Sequence, residues 1–152
     1  MIEKKRNKTL IIVFLLTCCS GFAHAQSLNE SFATKSDTIL DYIVTIDLPS
    51  GYKQKTTVYD EGKFVDFYYP DGSILTLFRG GVHKIPLFSL SSKHHVISVD
   101  TIGNRISYKG YIENKRWRED KIRNLHVYYN NVSIEKERMF DQALESIVIK
   151  KM

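Results

Sequence analysis

The sequence contains only two cysteines, Cys18 and Cys19, and both fall within its first 25 residues. Residues 26–152 therefore offer no disulfide, no thiolate nucleophile and no Cys-ligated zinc. A domain of that length must be held by its own core, which is feasible without covalent staples. Proline is scarce, at Pro49, Pro70 and Pro86, and Trp117 is the single tryptophan. No apolar run reaches the length of about 20 residues that crosses a bilayer as a helix. Glycine-rich phosphate loops, GxSxG elbows, HExxH helices and EF-hand loops are all missing, which excludes those families. What is present is ordinary globular composition, 43% hydrophobic and 26% charged, enough for one small domain.

Residues 1–25 read as a signal peptide. Lys4, Lys5, Arg6 and Lys8 form a basic head, Leu10 to Leu16 an apolar run, and Ala23-His24-Ala25 a small-x-small cleavage site. The mature chain is expected to begin at Gln26 and to be periplasmic or secreted. Cys18 and Cys19 raise the alternative of a lipoprotein, but neither follows the small residue that acylation requires. The leader carries four basic residues and Glu3, so it accounts for +3 of the formal charge of +5 and leaves +2. A near-neutral domain has no electrostatic footprint for nucleic acid.

Residues 26–38 are polar and aperiodic and read as a flexible tether before a single domain at 39–150. No internal repeat is evident. Tyr42, Val44, Ile46 and Leu48 alternate with polar residues, as on a half-buried strand. Pro70-Asp71-Gly72-Ser73 predicts a turn joining strands at Phe64–Tyr69 and Ile74–Phe78. Further strands are expected at Val96–Val99, Ile106–Ile112, Arg116–Lys121 and Leu125–Tyr129. Gly80 to His95 reads as a loop carrying a short helix. Ser133 is placed to cap a helix whose Phe140, Ala143, Leu144 and Ile147 form one apolar stripe. The expected fold class is α+β: an antiparallel sheet of about six or seven strands with a C-terminal amphipathic helix packed on one face.

Ile43-Val44-Thr45-Ile46-Asp47-Leu48-Pro49-Ser50-Gly51-Tyr52 resembles the strand–Pro–x–Gly/Asn–aromatic opening of PsbP-like domains. Phe140 to Ile147 resembles their closing helix, which runs into a short final strand. The resemblance spans roughly residues 40–150 and implies an α+β or α/β/α-like sandwich with a non-catalytic accessory or binding role. The segment from Gly80 to His95 departs from it by lacking a clear helix.

Residues able to carry chemistry are dispersed. Adjacent His94 and His95 cannot share one strand face, so a metal site there needs His83 or a carboxylate folded close. His126 is expected on the outer sheet surface, and serves as a base only if Glu119 or Asp120 orients it. Ser89, Ser91 and Ser92 lack the fixed turn and oxyanion hole that a nucleophile needs. Asp60, Glu61 and Asp66 read as solvated hairpin charges. No cofactor is implied.

One cluster combines the residue types that dominate binding hot spots: Trp117 between Arg116 and Arg118, with Tyr111 and Tyr128 on neighbouring strands. Strand alternation places Trp117, Glu119 and Lys121 on one face. Burying both charges would be costly, so that face is expected outside, with Trp117 as a partner anchor. The expected function is a non-enzymatic exported module that binds another envelope or secreted protein, as an accessory subunit or a periplasmic inhibitor or immunity-type protein. A carbohydrate or small-ligand binder using the aromatic face and a hydrolase with a dispersed site are the alternatives. The sequence does not choose a partner or an oligomeric state.

Overall fold

The computed structural model describes residues 31–39, 41–60, 62–80 and 93–152. Residues 1–30, which include the expected leader, and most of the segment from Gly80 to His95 lie outside the described residues. His83 and Ser89, Ser91 and Ser92 lie outside them too.

Local patterning builds most strands where it is strong. Val44, Ile46 and Leu48 of β2 (Tyr42–Pro49) are fully buried, as alternation requires. Pro70 to Ser73 turns the chain between β4 (Gly62–Tyr68) and β5 (Ile74–Gly80), which pair antiparallel along their length. Asp71 Oδ1 accepts the Ser73 N–H at 2.9 Å, an Asx-type bond that fixes the turn.

Two sheets result, one more than expected. Seven strands are ordered β3-β4-β5-β9-β8-β7-β6, where β3 is Lys53–Tyr59, β6 His95–Ile102, β7 Arg105–Ile112, β8 Lys115–Ile122 and β9 Leu125–Val132. A separate three-stranded sheet is ordered β1-β2-β10, from β1 (Phe32–Ile39), β2 and β10 (Val148–Lys151). The tether reading is corrected by β1: Phe32 to Ile39 pair with β2, from Phe32 opposite Pro49 to Ile39 opposite Tyr42. That strand is polar and largely exposed, so its sequence carries no alternation, and β2 alone supplies its register.

The single described helix, α1 (Ile134–Glu145), buries Phe140, Ala143 and Leu144. Ser133 is its N-cap, without a capping bond from its side chain to the helix backbone. The helix and the small sheet cover one face of the large sheet. Ile46 and Leu48 from one side meet Phe67, Leu75, Leu77, Val127 and Tyr129 from the other. The fold is thus α+β, mostly antiparallel sheet with one C-terminal helix.

Strands β6 to β9 form a meander with a ten-residue period that corrects the expectation of no repeat. Ile102, Ile112 and Ile122 end successive strands, and Asn104, Asn114 and Asn124 close the two-residue turns between them. Each turn opens on a residue of positive φ: Gly103 at 60°, Glu113 at 54° and Arg123 at 57°. Glycine adopts that conformation freely, whereas a side chain there costs roughly 1–2 kcal/mol.

Gly110 on β7 lies between Val96 of β6 and Trp117 of β8. A Cβ at that position would collide with the His95 carbonyl oxygen and come within 2.5 Å of the Trp117 ring. Gly110→Ala is therefore expected to lower stability by about 1–3 kcal/mol through overpacking, read as a lower urea midpoint. A neutral result would mean that β6 sits farther from β7 than this geometry has it.

Candidate functional site

Alternation along β8 sends Arg118 and Asp120 to the helix-covered face and Trp117 and Glu119 to the opposite one. Both faces are buried there, which the sequence reading did not anticipate. Trp117 is 1% exposed, Glu119 and Asp120 are 0% and Arg118 is 4%. The outward placement of Trp117 as an anchor is thus corrected. Its ring packs over the space left by Gly110 and meets His94 edge-on at 6.0 Å.

Of the two charges that argued for exposure, Glu119 has its partner on another strand. Glu119 Oε1 lies 2.8 Å from His126 Nδ1 across the β8–β9 ladder. His126, expected on the surface, is 1% exposed. On the same face Thr76 donates to Asp66 at 2.7 Å, beside Tyr128. Burial and the nearby carboxylates of Asp66 and Glu119 push the Tyr128 hydroxyl up to about 12, despite its bond with Thr76. Tyr128 is half-buried and lies opposite Glu119 across the β8–β9 ladder.

On the helix face, Arg118 grips Asp120 through two bonds of 2.8 and 3.0 Å. It also reaches Asp141 at 3.0 Å and Glu145 at 3.2 Å on α1. Tyr129 and Lys109 donate to the same Asp141 carboxylate at 3.0 and 2.7 Å. Burial pushes the Asp141 carboxyl up, but the bonds from Lys109 and Arg118 outweigh it and hold the group below its ordinary value. Burial, with the adjacent Asp141, raises the Tyr129 hydroxyl strongly. The network ties α1 to β7, β8 and β9, and it corrects the expectation that Arg118 reaches a partner.

Two of the expected binding residues do come together. Arg116 lies 5.8 Å from the Tyr111 ring, directly across the β7–β8 ladder, and pairs with Glu137 at 3.3 Å. Tyr111 in turn stacks on His95 of β6 at 4.9 Å. A hollow of about 390 Å³ lined by Lys93, His95, Tyr111, Ile112 and Glu113 opens beside them.

This cluster flanks the most exposed apolar strand of the fold. Among the described residues β6 is an edge of the large sheet. Val96, Ile97, Val99 and Ile102 are 44, 60, 54 and 77% exposed. A bulge between Val96 and Ser98 leaves Ile97 outside the pairing with β7. The opposite edge, β3, carries Lys53 and Lys55, the usual protection against strand addition; β6 carries only Asp100 as a formal charge at neutral pH. The strand itself was legible in the sequence, but its edge position follows from long-range pairing. Among the described residues, no three His, Cys, Asp or Glu side chains converge on a metal position.

Compared with family models, curated proteins and solved structures, the chain matches none.

Proposed function

We propose that this chain is an exported, non-catalytic module that binds another envelope or secreted protein by accepting an extended segment along β6. The observation that carries this reading is an eight-residue strand, an edge among the described residues, that presents four large apolar side chains to solvent. Such an edge offers backbone hydrogen bonds for affinity and alternate side chains for selectivity. Asp100 sits at the centre of the unbulged stretch from Ser98 to Ile102. Antiparallel pairing of that stretch with its own copy about its centre would oppose Asp100 to Asp100, which disfavours self-association. A foreign strand with a basic or neutral residue there fits better. An accessory subunit and a periplasmic inhibitor or immunity-type protein both use such a surface.

The carbohydrate alternative loses its platform with the burial of Trp117. The hydrolase alternative has the Glu119–His126 pair in its favour, since a carboxylate on Nδ1 orients an imidazole for base work. With both groups sealed from solvent, the pair is read as a core contact that joins β8 to β9.

Val99→Lys places a charge on β6 at an exposed site, so stability should shift by no more than about 0.5 kcal/mol. A protein retained from envelope extract by the wild-type chain should bind this variant at least tenfold more weakly. Val58→Lys on the opposite edge, where Val58 is 73% exposed, should bind as the wild type does. Equal retention by all three, measured by titration of the purified pair, would overturn the strand-addition reading.

A further inference from the structure

At the opposite end of α1 from its N-cap, the turns of the meander meet the small sheet around an open hollow of about 360 Å³. Ile102, Ile122, Ile147 and Ile149 supply its apolar walls, and Arg105 and Arg123 its cations. A narrower hollow running toward Ile39 and Val44 shares Ile122, Arg123 and Ile149 with it, so Arg123 stands where the two join. The size of the larger hollow falls in the range that takes small molecules, roughly 300–1,000 Å³.

The charges around it are not equally available. Arg105 is engaged, with its guanidinium 3.5 Å from Asp120 and donating to the Leu144 carbonyl at 2.9 Å. Arg79, on the wall of the narrower hollow, pairs with Asp41 and lies over the Tyr42 ring. Glu145, the acid in the wall, is held by Arg118 at 3.2 Å. Arg123 is exposed and has no carboxylate within ion-pair distance among the described residues. The Asn104 side chain, a neutral hydrogen-bonding group, lines the same hollow.

We propose that this hollow binds a small aliphatic carboxylate, with its tail against the four isoleucines and its head on Arg123. A guanidinium fork matches a carboxylate with two parallel bonds, and it stays charged at any physiological pH. Branched aliphatic walls without an aromatic ring suit a flexible hydrocarbon chain better than a sugar or a planar ring. The hollow shares Ile102 with the end of β6, but the proposal does not depend on strand addition there.

The test titrates the mature chain with octanoate below its micelle concentration, followed by backbone amide NMR. Saturable shifts at Asn104, Arg123, Asn124 and Ile149 are expected. Acetate, which has only the head, and 1-octanol, which has only the tail, should each bind at least tenfold more weakly. Arg123→Gln should weaken octanoate about tenfold while leaving the spectrum of the free chain otherwise unchanged. Val99→Lys should leave octanoate binding intact. No saturable shift, shifts centred elsewhere, equal binding of 1-octanol, or an unaffected Arg123→Gln variant would each overturn the proposal.

Discussion

Trp117→Ala is expected to cost about 3–5 kcal/mol of stability, the range for deleting a large aromatic side chain from a core. Trp117 is 1% exposed and packs across Gly110, so its removal opens a cavity between β6, β7 and β8. The free protein should accordingly show blue-shifted tryptophan emission that a soluble quencher does not reach. The surface-anchor alternative makes the reverse set of predictions: red-shifted, quenchable emission, little loss of stability and a large loss of binding. Equilibrium urea unfolding together with one quenching titration separates the two.

Arg118→Ala carries the second large effect. It leaves Asp120, which is 0% exposed, with only the longer 3.5 Å contact to Arg105, and it takes a donor from Asp141. Breaking a buried pair from one side typically costs about 3–5 kcal/mol, because a desolvated charge remains uncompensated. The double variant Arg118→Met with Asp120→Leu removes both charges and should lose less than Arg118→Ala alone. A double variant no more stable than Arg118→Ala would contradict the pairing account.

The same network gives a pH dependence with a definite sign. The folded Asp141 carboxyl lies below its ordinary value, so the unfolded chain binds its proton first as the solution is acidified. Its stabilising contribution is present above the unfolded value of about 3.9 and is lost as pH falls through the folded value. Asp71, hydrogen-bonded to Lys136 and to Ser73, is lowered as well and adds to the same acid slope. Asp141→Asn should flatten the slope below about pH 4 without abolishing it.

Elements whose specification is local were legible in the sequence. Val44, Ile46 and Leu48 announced β2, Pro70 to Ser73 the β4–β5 hairpin, and Phe140, Ala143 and Leu144 the buried stripe of α1. Elements specified by distant partners were not. Nothing in Phe32 to Ile39 marks a strand, because both of its faces are mostly exposed; pairing with β2 and the bonds from Lys63 of β4 to Asp37 and the Thr38 carbonyl hold it. Strand alternation puts Trp117 on a face with Glu119 and Lys121, and two charges whose partners the sequence does not show argue for exposure. The partner of Glu119, His126, lies on the next strand, and only the β8–β9 register brings the two within 2.8 Å. The ten-residue repeat is faint in the sequence because only Ile102, Ile112, Ile122 and the turn asparagines recur, while the strand residues between them differ. The two-residue turn after Ile112 places Tyr111 opposite Arg116, a proximity the sequence spacing already implies. The edge position of β6 is set by long-range pairing, which leaves no strand on its far side among the described residues.

Docking of the proposed partner along β6 is read out by amide hydrogen exchange of the chain, free and saturated with the protein it retains. Exchange should slow across His95 to Ile102 in the complex, while Lys53 to Tyr59 on the opposite edge exchange as before. Unchanged exchange across β6, with protection appearing on β3 or on the small sheet instead, would contradict it.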